Sequence, residues 1–543
     1  MPKTISSLNT KRIFLILGVL ALVGCIGLLV DTIAKRELPK LLGEQVTYES
    51  VSLSILNGEI SFKKPRVQVD SAENQANLNI RSEASQISIH GFSLWNLLLS
   101  RKIKVDKLSI DSLLLGIVLP ELKASKTEKK EINLFVRDIF NRIEVQHFDI
   151  SAGSLVVRKK GSYDTLMSMK DIHLSAYGIF VDTSTVHNIF PLDFDKSETK
   201  VGQLYIKAGD DYTLSGESLQ IRDTSFSIEN LHLKPVDSRP AFVQNHPYEK
   251  ARIDLIVKRL SGKKLLWDFM ENRTLKLSAE STLLDRLQMN VFKDKTPPAK
   301  PPETRPLLAG FLNKLPFIFT LDTLRLTDSY IQYEQLPVVF PRAGKLYFEK
   351  LYMSGYHLTN DPEEIQKQAI TTLDIQSDFM GQGKLKTTIL LDMSSKRQEF
   401  SVSGTLGAMP ITYINQTLAP LTGVEASGHL HGMTFDFQGD EYASKGKVIM
   451  EYSDLKVNVY DQNRDKVWLK SMFGNMILNS NNHIDDTLGY QEGEIYFIRY
   501  QNKGFFNMLW NSLRVALMDI TMPFYTNPDF TTPGSEPKYL LDD

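Results

Sequence analysis

One short run, Leu22-Val-Gly-Cys25, carries residue types whose order would support a covalent reaction. Small Gly24 directly before the only cysteine of the chain would allow thiol acylation and cleavage, as in a lipoprotein signal. The five residues that follow, Ile26 to Val30, are all apolar, whereas a mature lipoprotein usually starts with a polar tether. Cys25 therefore reads first as a mid-helix residue, with a lipidated cysteine as the alternative.

The remaining chemically capable residues are sparse. His429 and His431 are two apart, so strand alternation would place both on one face, as two metal ligands require. No third ligand is evident, and a polar strand face is the expectation. Asp210-Asp211 and Asp485-Asp486 sit among turn residues, which suits solvated loops better than a general acid and base. G-x-x-x-x-G-K, G-x-S-x-G, H-E-x-x-H and G-x-G-x-x-G are all missing. No nucleophile, base and orienting group can be assembled, so the chain reads as a non-enzyme with no metal and no cofactor. Lys and Arg together number 63 against 64 Asp and Glu, so no concentrated basic surface for nucleic acid is indicated. A single cysteine excludes an intramolecular disulfide and every multi-cysteine metal cluster.

With no chemistry to place, the elements themselves carry the information. Residues 13–30 are uncharged and would span roughly 27 Å as a helix, nearly a bilayer core. A membrane anchor over 13–34 is expected, with Ile13, Phe14, Leu17, Leu20, Leu22, Cys25, Leu28 and Val30 along it. Lys3, Lys11 and Arg12 precede the run and Lys35, Arg36 and Lys40 follow it, so basic residues alone leave orientation open. The large body beyond favours a cytoplasmic 1–12 with the body translocated.

Past Lys40 the chain alternates apolar with small polar or charged residues, the mark of half-buried strands. Examples are Lys102 to Val105, Phe226 to Ile228, Phe400 to Ser403, Thr434 to Phe437 and Leu455 to Val459. One arrangement recurs, with apolar residues at offsets 0, 3, 5, 10 and 12. Val105, Leu108, Ile110, Leu115 and Ile117 fit it, as do Val145, Phe148, Ile150, Leu155 and Val157, and Leu321, Leu324, Leu326, Ile331 and Tyr333. A fourth copy has Gly216, Leu219, Ile221, Phe226 and Ile228. The intervening DSLL, SAGS, TDSY and RDTS are turn-forming, so each copy is expected to be a hairpin of two short strands. Helices are expected only at 94–100, 131–142, 263–272, 363–368 and 503–520.

TPPAKPPETRP, residues 296–306, is a stiff linker or a long loop. It divides the expected body into 41–295 and 307–500, followed by the helix at 503–520 and a tail at 521–543. That helix carries Phe506, Leu509, Trp510, Leu513, Ala516, Leu517 and Ile520 on an apolar stripe, with Asn507, Asn511, Arg514 and Asp519 opposite. Such a helix either plugs the end of a sheet or lies at a membrane or on a partner. So few helices cannot cover so much apolar sheet. The sheet must pack on a second sheet, curl on itself, or hold something apolar from outside.

The anchor followed by YESVSLSILNGEISFKKPRVQV (Tyr48 to Val69) and FSLWNLLLSRKIKVDKLSIDSLLLGI (Phe92 to Ile117) resembles the AsmA-like family of bacterial envelope proteins. Ser52 to Lys63 matches that family's early "slslLnG.i.lk" strand pair, and Ile103 to Ile117 its "I.v..L.I..p.l.l" strands. The resemblance implies a mainly β protein: an N-terminal transmembrane helix, then an elongated, curved antiparallel β-sheet groove of repeated hairpins, related to chorein-type lipid bridges. It implies a single-pass inner-membrane protein of a Gram-negative cell, with its body in the periplasm. It also implies conveyance of phospholipid toward the outer membrane, in support of that membrane's biogenesis, with an outer-membrane or periplasmic partner protein. Phospholipid or fatty acyl chains would be the bound molecules. From alternation, the groove-facing candidates are Leu108, Ile110, Leu115, Phe148, Ile150, Leu155, Leu324, Leu326, Ile331 and Tyr333. The alternative is a scaffolding envelope protein whose sheets form a closed, dry sandwich.

Overall fold

A computed structural model describes residues 46–54, 58–69, 79–92, 102–119, 142–162, 164–182, 185, 192–270, 274–299, 301, 303–460, 466–467, 478–485 and 490–522. The expected anchor, with Ile13, Phe14, Leu17, Leu20, Leu22, Cys25, Leu28 and Val30, lies outside these residues, as do the expected helix at 94–100 and most of that at 131–142. The chain is mainly β and divides into two compact units, Met1–His232 and Leu233–Asp543. All five stretches read as strands by alternation are strands.

In the first unit the early strands are β1 (Val46–Thr47), β2 (Ser50–Ser54), β3 (Glu59–Lys63), β4 (Arg66–Val69), β5 (Asn79–Glu83), β6 (Gln86–His90), β7 (Lys102–Asp111) and β8 (Leu114–Leu119). Longer strands follow: β9 (Arg142–Lys159), β10 (Thr165–Asp182), β11 (Lys196–Ala208) and β12 (Tyr212–Arg222). β13 (Ser225–Pro235) contains the boundary between the units. Pairing runs β2-β3-β6-β7-β9 along one limb and β1-β4-β5-β8-β9 along the other, and β9 continues to β10, β11 and β12. All these pairs are antiparallel except β9 with β7 and β8, where the connection of more than twenty residues is long enough for a parallel return.

The recurring unit is not a hairpin in three of its four copies. Residues 142–159 and 318–336 are each one continuous strand, and β7 and β8 pair with β9 side by side rather than with each other. The supposed turn residue at offset 7 instead adopts left-handed backbone in every copy: Ser112 (φ 54°), Ala152 (φ 56°), Asp223 (φ 49°) and Asp328 (φ 44°). In β9 and in the strand from Ile318 this is a bulge: Ile172 faces Gly153 while Leu174 faces Ile150, so β9 has one residue to spare. An extra residue reverses the parity of alternation, which is why the apolar positions step from 3 and 5 to 10 and 12. At the earlier break, from offset 0 to 3, the register does not slip in β9 or in the strand from Ile318. Opposite that break on the neighbouring strand sits another left-handed residue, Gly91, Gly178 or His357.

These bulges align across strands. In the first unit the line passes Lys64, Ser85, Ser112, Ala152 and Asp171, tied by Lys64 N–H to Ser85 O, Ser85 N–H to Asp111 O and Ser112 N–H to Ser151 O, each 2.9 Å. A row of bulges bends every strand at the same level, so this sheet is creased into two limbs.

The second unit contains β14 (Ala251–Lys263), β15 (Leu266–Phe269), β16 (Leu275–Asp294), β17 (Ile318–Leu336), β18 (Gly344–Thr359), β19 (Ile370–Phe379), β20 (Gly383–Asp392) and β21 (Phe400–Pro410), then β22 (Val424–Gly439), β23 (Ala443–Tyr460), β24 (Lys466–Val467) and β25 (Gly493–Ile498). β14 and β15 both pair antiparallel with β16, which pairs in parallel with β17; from there an antiparallel meander runs to β23, with β24 and β25 beside it. The Pro-rich run lies in the connection between β16 and β17.

Its helices are α1 (Arg239–Gln244), α2 (Leu308–Asn313), α3 (Pro362–Lys367), α4 (Asn415–Thr422) and α5 (Phe505–Thr521). The expected helix at 263–272 is instead the end of β14 and β15, where Leu266, Trp267 and Phe269 pair with β16. Lys264 in left-handed backbone separates the two strands, and six apolar-rich residues are too few to make a helix outcompete pairing. The helices at 363–368 and 503–520 are present, as α3 and α5. Asp361 caps α3, its carboxylate accepting from Glu363 N–H at 3.1 Å while Lys276 reaches it at 2.7 Å.

Candidate functional site

Apolar residues face each other across strands in unbroken rows. On one limb of the first unit, Phe62, Ile87, Ile110, Ile150 and Leu174 are consecutive cross-strand partners; Ile60, Ile89, Leu108, Phe148 and Ala176 form the next row. On the other limb Ile80, Ile117, Val157, Met167, Ile206 and Leu214 line up, beside Leu115, Leu155, Met169 and Leu204. Directly paired residues point to one face, so each row is a continuous apolar stripe.

The stripes change character along their length. Ile80 (3% exposed) and Ile117 (2%) are enclosed, whereas Met167, Ile206 and Leu214 of the same row are half-buried. Leu108, Ile110, Phe148 and Ile150 belong to a closed core with Ile60, Ile89 and Val105. Leu115 and Leu155 are half-buried against Ile80, Ile117 and Val157. The sequence-derived candidates of this unit thus sit mainly where the sheet is already covered. Sequence reasoning did not name the half-buried continuation of these stripes, Met167, Met169, Leu204 and Ile206, of which Met167 packs against Ile80, Ile117 and Val157 as Leu115 and Leu155 do.

In the second unit Leu260, Leu284, Leu326, Met353 and Ile375 form one row and Leu255, Met289, Ile331, Phe348 and Phe379 another. Leu326 is buried; Leu324, Ile331 and Tyr333 are half-buried. Leu324 faces Gly355, and a row of Ile253, Val291, Tyr333 and Leu346 passes through Tyr333.

At Tyr333 that last row borders a polar cleft lined by Glu249, Lys293, Lys295, Arg305, Tyr333, Lys503 and Asn507, among others. Glu249 accepts from Lys295 at 2.7 Å and lies 3.0 Å from Lys293. Burial pushes the Glu249 carboxyl upward, but hydrogen bonds from Lys295 and Lys293 outweigh it and hold the group below its usual range. Lys293 moves down rather than up: burial dominates, and the like charges of Lys295 and Lys503 add to it against the pull of Glu249. Burial, with the nearby Glu249 charge, pushes the Tyr333 hydroxyl up to about 12, and that hydroxyl donates to Gln335 at 2.9 Å. These residues come from widely separated stretches, and no sequence signal joined them.

α5 covers an edge of the second unit with a face rotated from the expected one, of which Ala516 and Ile520 are fully buried. Phe505, Met508, Asn511, Ser512, Val515, Ala516 and Ile520 are buried, whereas Phe506 is 76% exposed and Trp510 44%. Leu509, Leu513 and Leu517 are half-buried at the margin. The helix lies against a strand edge: Asp519 accepts from Glu494 N–H of β25 at 3.0 Å, and Thr521 O accepts from Asn479 N–H at 2.9 Å. Asn511, read as solvent-facing, is buried but satisfied, donating to Asn507 O at 2.8 Å and accepting from Arg514 Nε at 3.2 Å.

His429 and His431 are both exposed on one strand face, flanking buried Leu430, with the His483 ring 5.6 Å from that of His431. Among the described residues no group of three His, Cys, Asp or Glu side chains has the geometry to hold a metal, and no helix is long and apolar enough to cross a membrane. No protein-family model matches the chain, and no curated protein matches its sequence.

Proposed function

We propose that the chain holds phospholipid acyl chains on its half-buried apolar stripes and conveys them along the sheet as an AsmA-like protein, anchored in the inner membrane by residues 13–30, with its body in the periplasm. The observation that carries this reading is the stripe from Ile80 to Leu214, which stays apolar and in register while its residues pass from buried at Ile80, Ile117 and Val157 to half-buried at Met167, Ile206 and Leu214. An acyl chain gains about 0.8 kcal/mol for each CH2 removed from water, so such a stripe accepts it without a specific chemical contact. Polar groups of the lipid stay wet at the open side. Delivery toward the outer membrane follows from the family resemblance, and no catalytic group is needed for it.

The closed cluster around Ile60, Ile89 and Ile110 supports the scaffolding alternative for that part of the first unit, because a dry core has no room for cargo. Substitution separates the two. Met169→Glu with Ile206→Glu, at half-buried positions, should leave the fold intact and sharply reduce the lipid that co-purifies, measured by mass spectrometry of extracts from the full chain. Ile110→Glu should unfold the first unit instead. Wild-type protein that carries no lipid in several gentle detergents would sink the transport reading.

A further inference from the structure

The cleft beside Tyr333 gathers more positive than negative charge. Lys293, Lys295, Arg305 and Lys503 line it against only Glu249 and Glu303. Gly504, also in the lining, is the N-cap of α5; it offers no side-chain cap, and the first turn holds no acidic residue. The positive dipole end of this 17-residue helix therefore borders the same space as the cations at Gly504, while the N–H groups of Asn507 and Met508 donate to Gly504 O at 3.1 and 3.3 Å.

The walls are built rather than incidental. Arg499 is 4% exposed and donates to the carbonyls of Glu441 (3.1 Å), Lys503 (2.9 Å) and Arg305. Among the described residues it forms no ion pair with a carboxylate. A buried guanidinium is thus committed to fixing the two backbone segments that carry Lys503 and Arg305. Glu249 N–H donates to Pro298 O at 3.0 Å, and Arg305 N–H donates to Gln501 O at 2.9 Å, which closes the third side with the Pro-rich run.

We infer that this cleft binds a phosphate group, carried by a lipid headgroup or by a soluble phosphate ester. Four cations, three amide side chains and a helix N-terminus offer more donors than a carboxylate's two oxygens can use, and they suit a tetrahedral anion with several oxygens. Two surplus positive charges match a phosphate dianion. Glu249 holds Lys293 and Lys295 together and competes with an incoming anion for both. The row Ile253, Val291, Tyr333, Leu346 meets the cleft at Tyr333 and extends to either side of it, so the chains of a bound phospholipid would lie along it; that choice of source rests on the lipid reading, whereas the phosphate site does not.

The test is calorimetric titration of the full chain in neutral detergent with inorganic phosphate and with glycerol 3-phosphate, at a salt concentration of about 0.15 M so that weak surface attraction is screened. Mixed micelles containing either phosphatidic acid or diacylglycerol form the second arm. Lys295→Gln and Lys503→Gln should each weaken phosphate binding about tenfold, and Glu249→Gln should tighten it by a similar factor. Lys503→Gln lies outside the strands and keeps the test independent of sheet stability. Preference for phosphatidic acid over diacylglycerol that falls in both lysine variants assigns the phosphate to a headgroup; binding of the soluble esters with the same pattern, but of neither lipid, keeps the cleft and removes the lipid reading. Equal uptake of the two lipids with no response to the three substitutions overturns the cleft and leaves acyl binding standing. Phosphate binding that is lost at this salt concentration, or is the same in all variants, also overturns it.

Discussion

Gly493 of β25 lies directly beneath Ala516 of α5, so close that a Cβ at position 493 would come within 2.4 Å of the Ala516 carbonyl oxygen. Gly493 also pairs with Val448, itself fully buried, so the strand cannot retreat from the helix. Gly493→Ala should therefore push α5 off its seat, at a cost of about 1–3 kcal/mol. Thermal melts of the purified chain, together with limited proteolysis after residue 500, would detect it. An unchanged melting temperature and cleavage pattern would mean that the helix is not held by this contact.

A second tie joins the same elements. Ser444 and Ser512, both buried, have their hydroxyl oxygens 2.7 Å apart, and Ser512 donates to Met508 O at 2.8 Å. Each hydroxyl has one proton, so Ser444 donates to Ser512. Ser512→Ala leaves the Ser444 hydroxyl without an acceptor in a dry interface, costing about 1–3 kcal/mol, whereas Ser444→Ala costs about 1 kcal/mol because Ser512 keeps its backbone bond. In a double-mutant cycle read by denaturant unfolding, the pair should cost less than the sum of the singles. Strict additivity would show that the hydroxyls do not interact.

Alternation revealed the strands because one face of each is covered, and Leu108, Ile110, Phe148 and Ile150 were found by it for that reason. The same rule misassigned the joints. A turn and a bulge share a composition of Asp, Ser, Gly and Ala, and only the pairing partner distinguishes a chain that reverses from one that bends. The informative signal was the parity break itself. Met167, Met169, Ile172 and Leu174 show it too, with Asp171 left-handed at the break, so the half-buried stripe of β10 was legible to a search for bulges rather than hairpins. The cleft was not legible at all. Glu249, Lys293, Tyr333 and Lys503 meet only because β16 and β17 pair in parallel and α5 begins beside them, a consequence of topology that no local pattern contains.

Ala152 offers a direct measure of what a bulge position demands. It is exposed within the continuous strand β9 and holds φ at 56°, so a change there alters backbone preference with little loss of packing. Ala152→Gly removes the left-handed penalty of about 1–2 kcal/mol but adds chain entropy of about 0.5–1 kcal/mol, leaving a small net gain. Ala152→Val should be destabilising by about 1–3 kcal/mol, since a β-branched residue tolerates this backbone least. Urea midpoints in the order Gly, Ala, Val from most to least stable are expected. A valine variant as stable as wild type would mean that residue 152 lies in ordinary extended backbone.

Glu249 makes the acid limb of stability testable. Its carboxyl is raised by burial, yet the bonds from Lys295 and Lys293 prevail and its pKa in the folded chain lies below the ordinary glutamate value of 4.5. The unfolded chain then binds more protons than the folded one between these two values, so stability rises with pH across that window. The contribution is fully present above pH 4.5 and is lost as pH falls through the lower, folded value. Glu249→Gln removes it: the variant should melt below wild type at neutral pH, and the two curves should converge as the pH drops under that of ordinary glutamate. Melting temperatures recorded for both chains from about pH 7 to pH 3 provide the comparison. A gap that stays constant to the acid end would assign the loss to the shape of the side chain rather than to its charge.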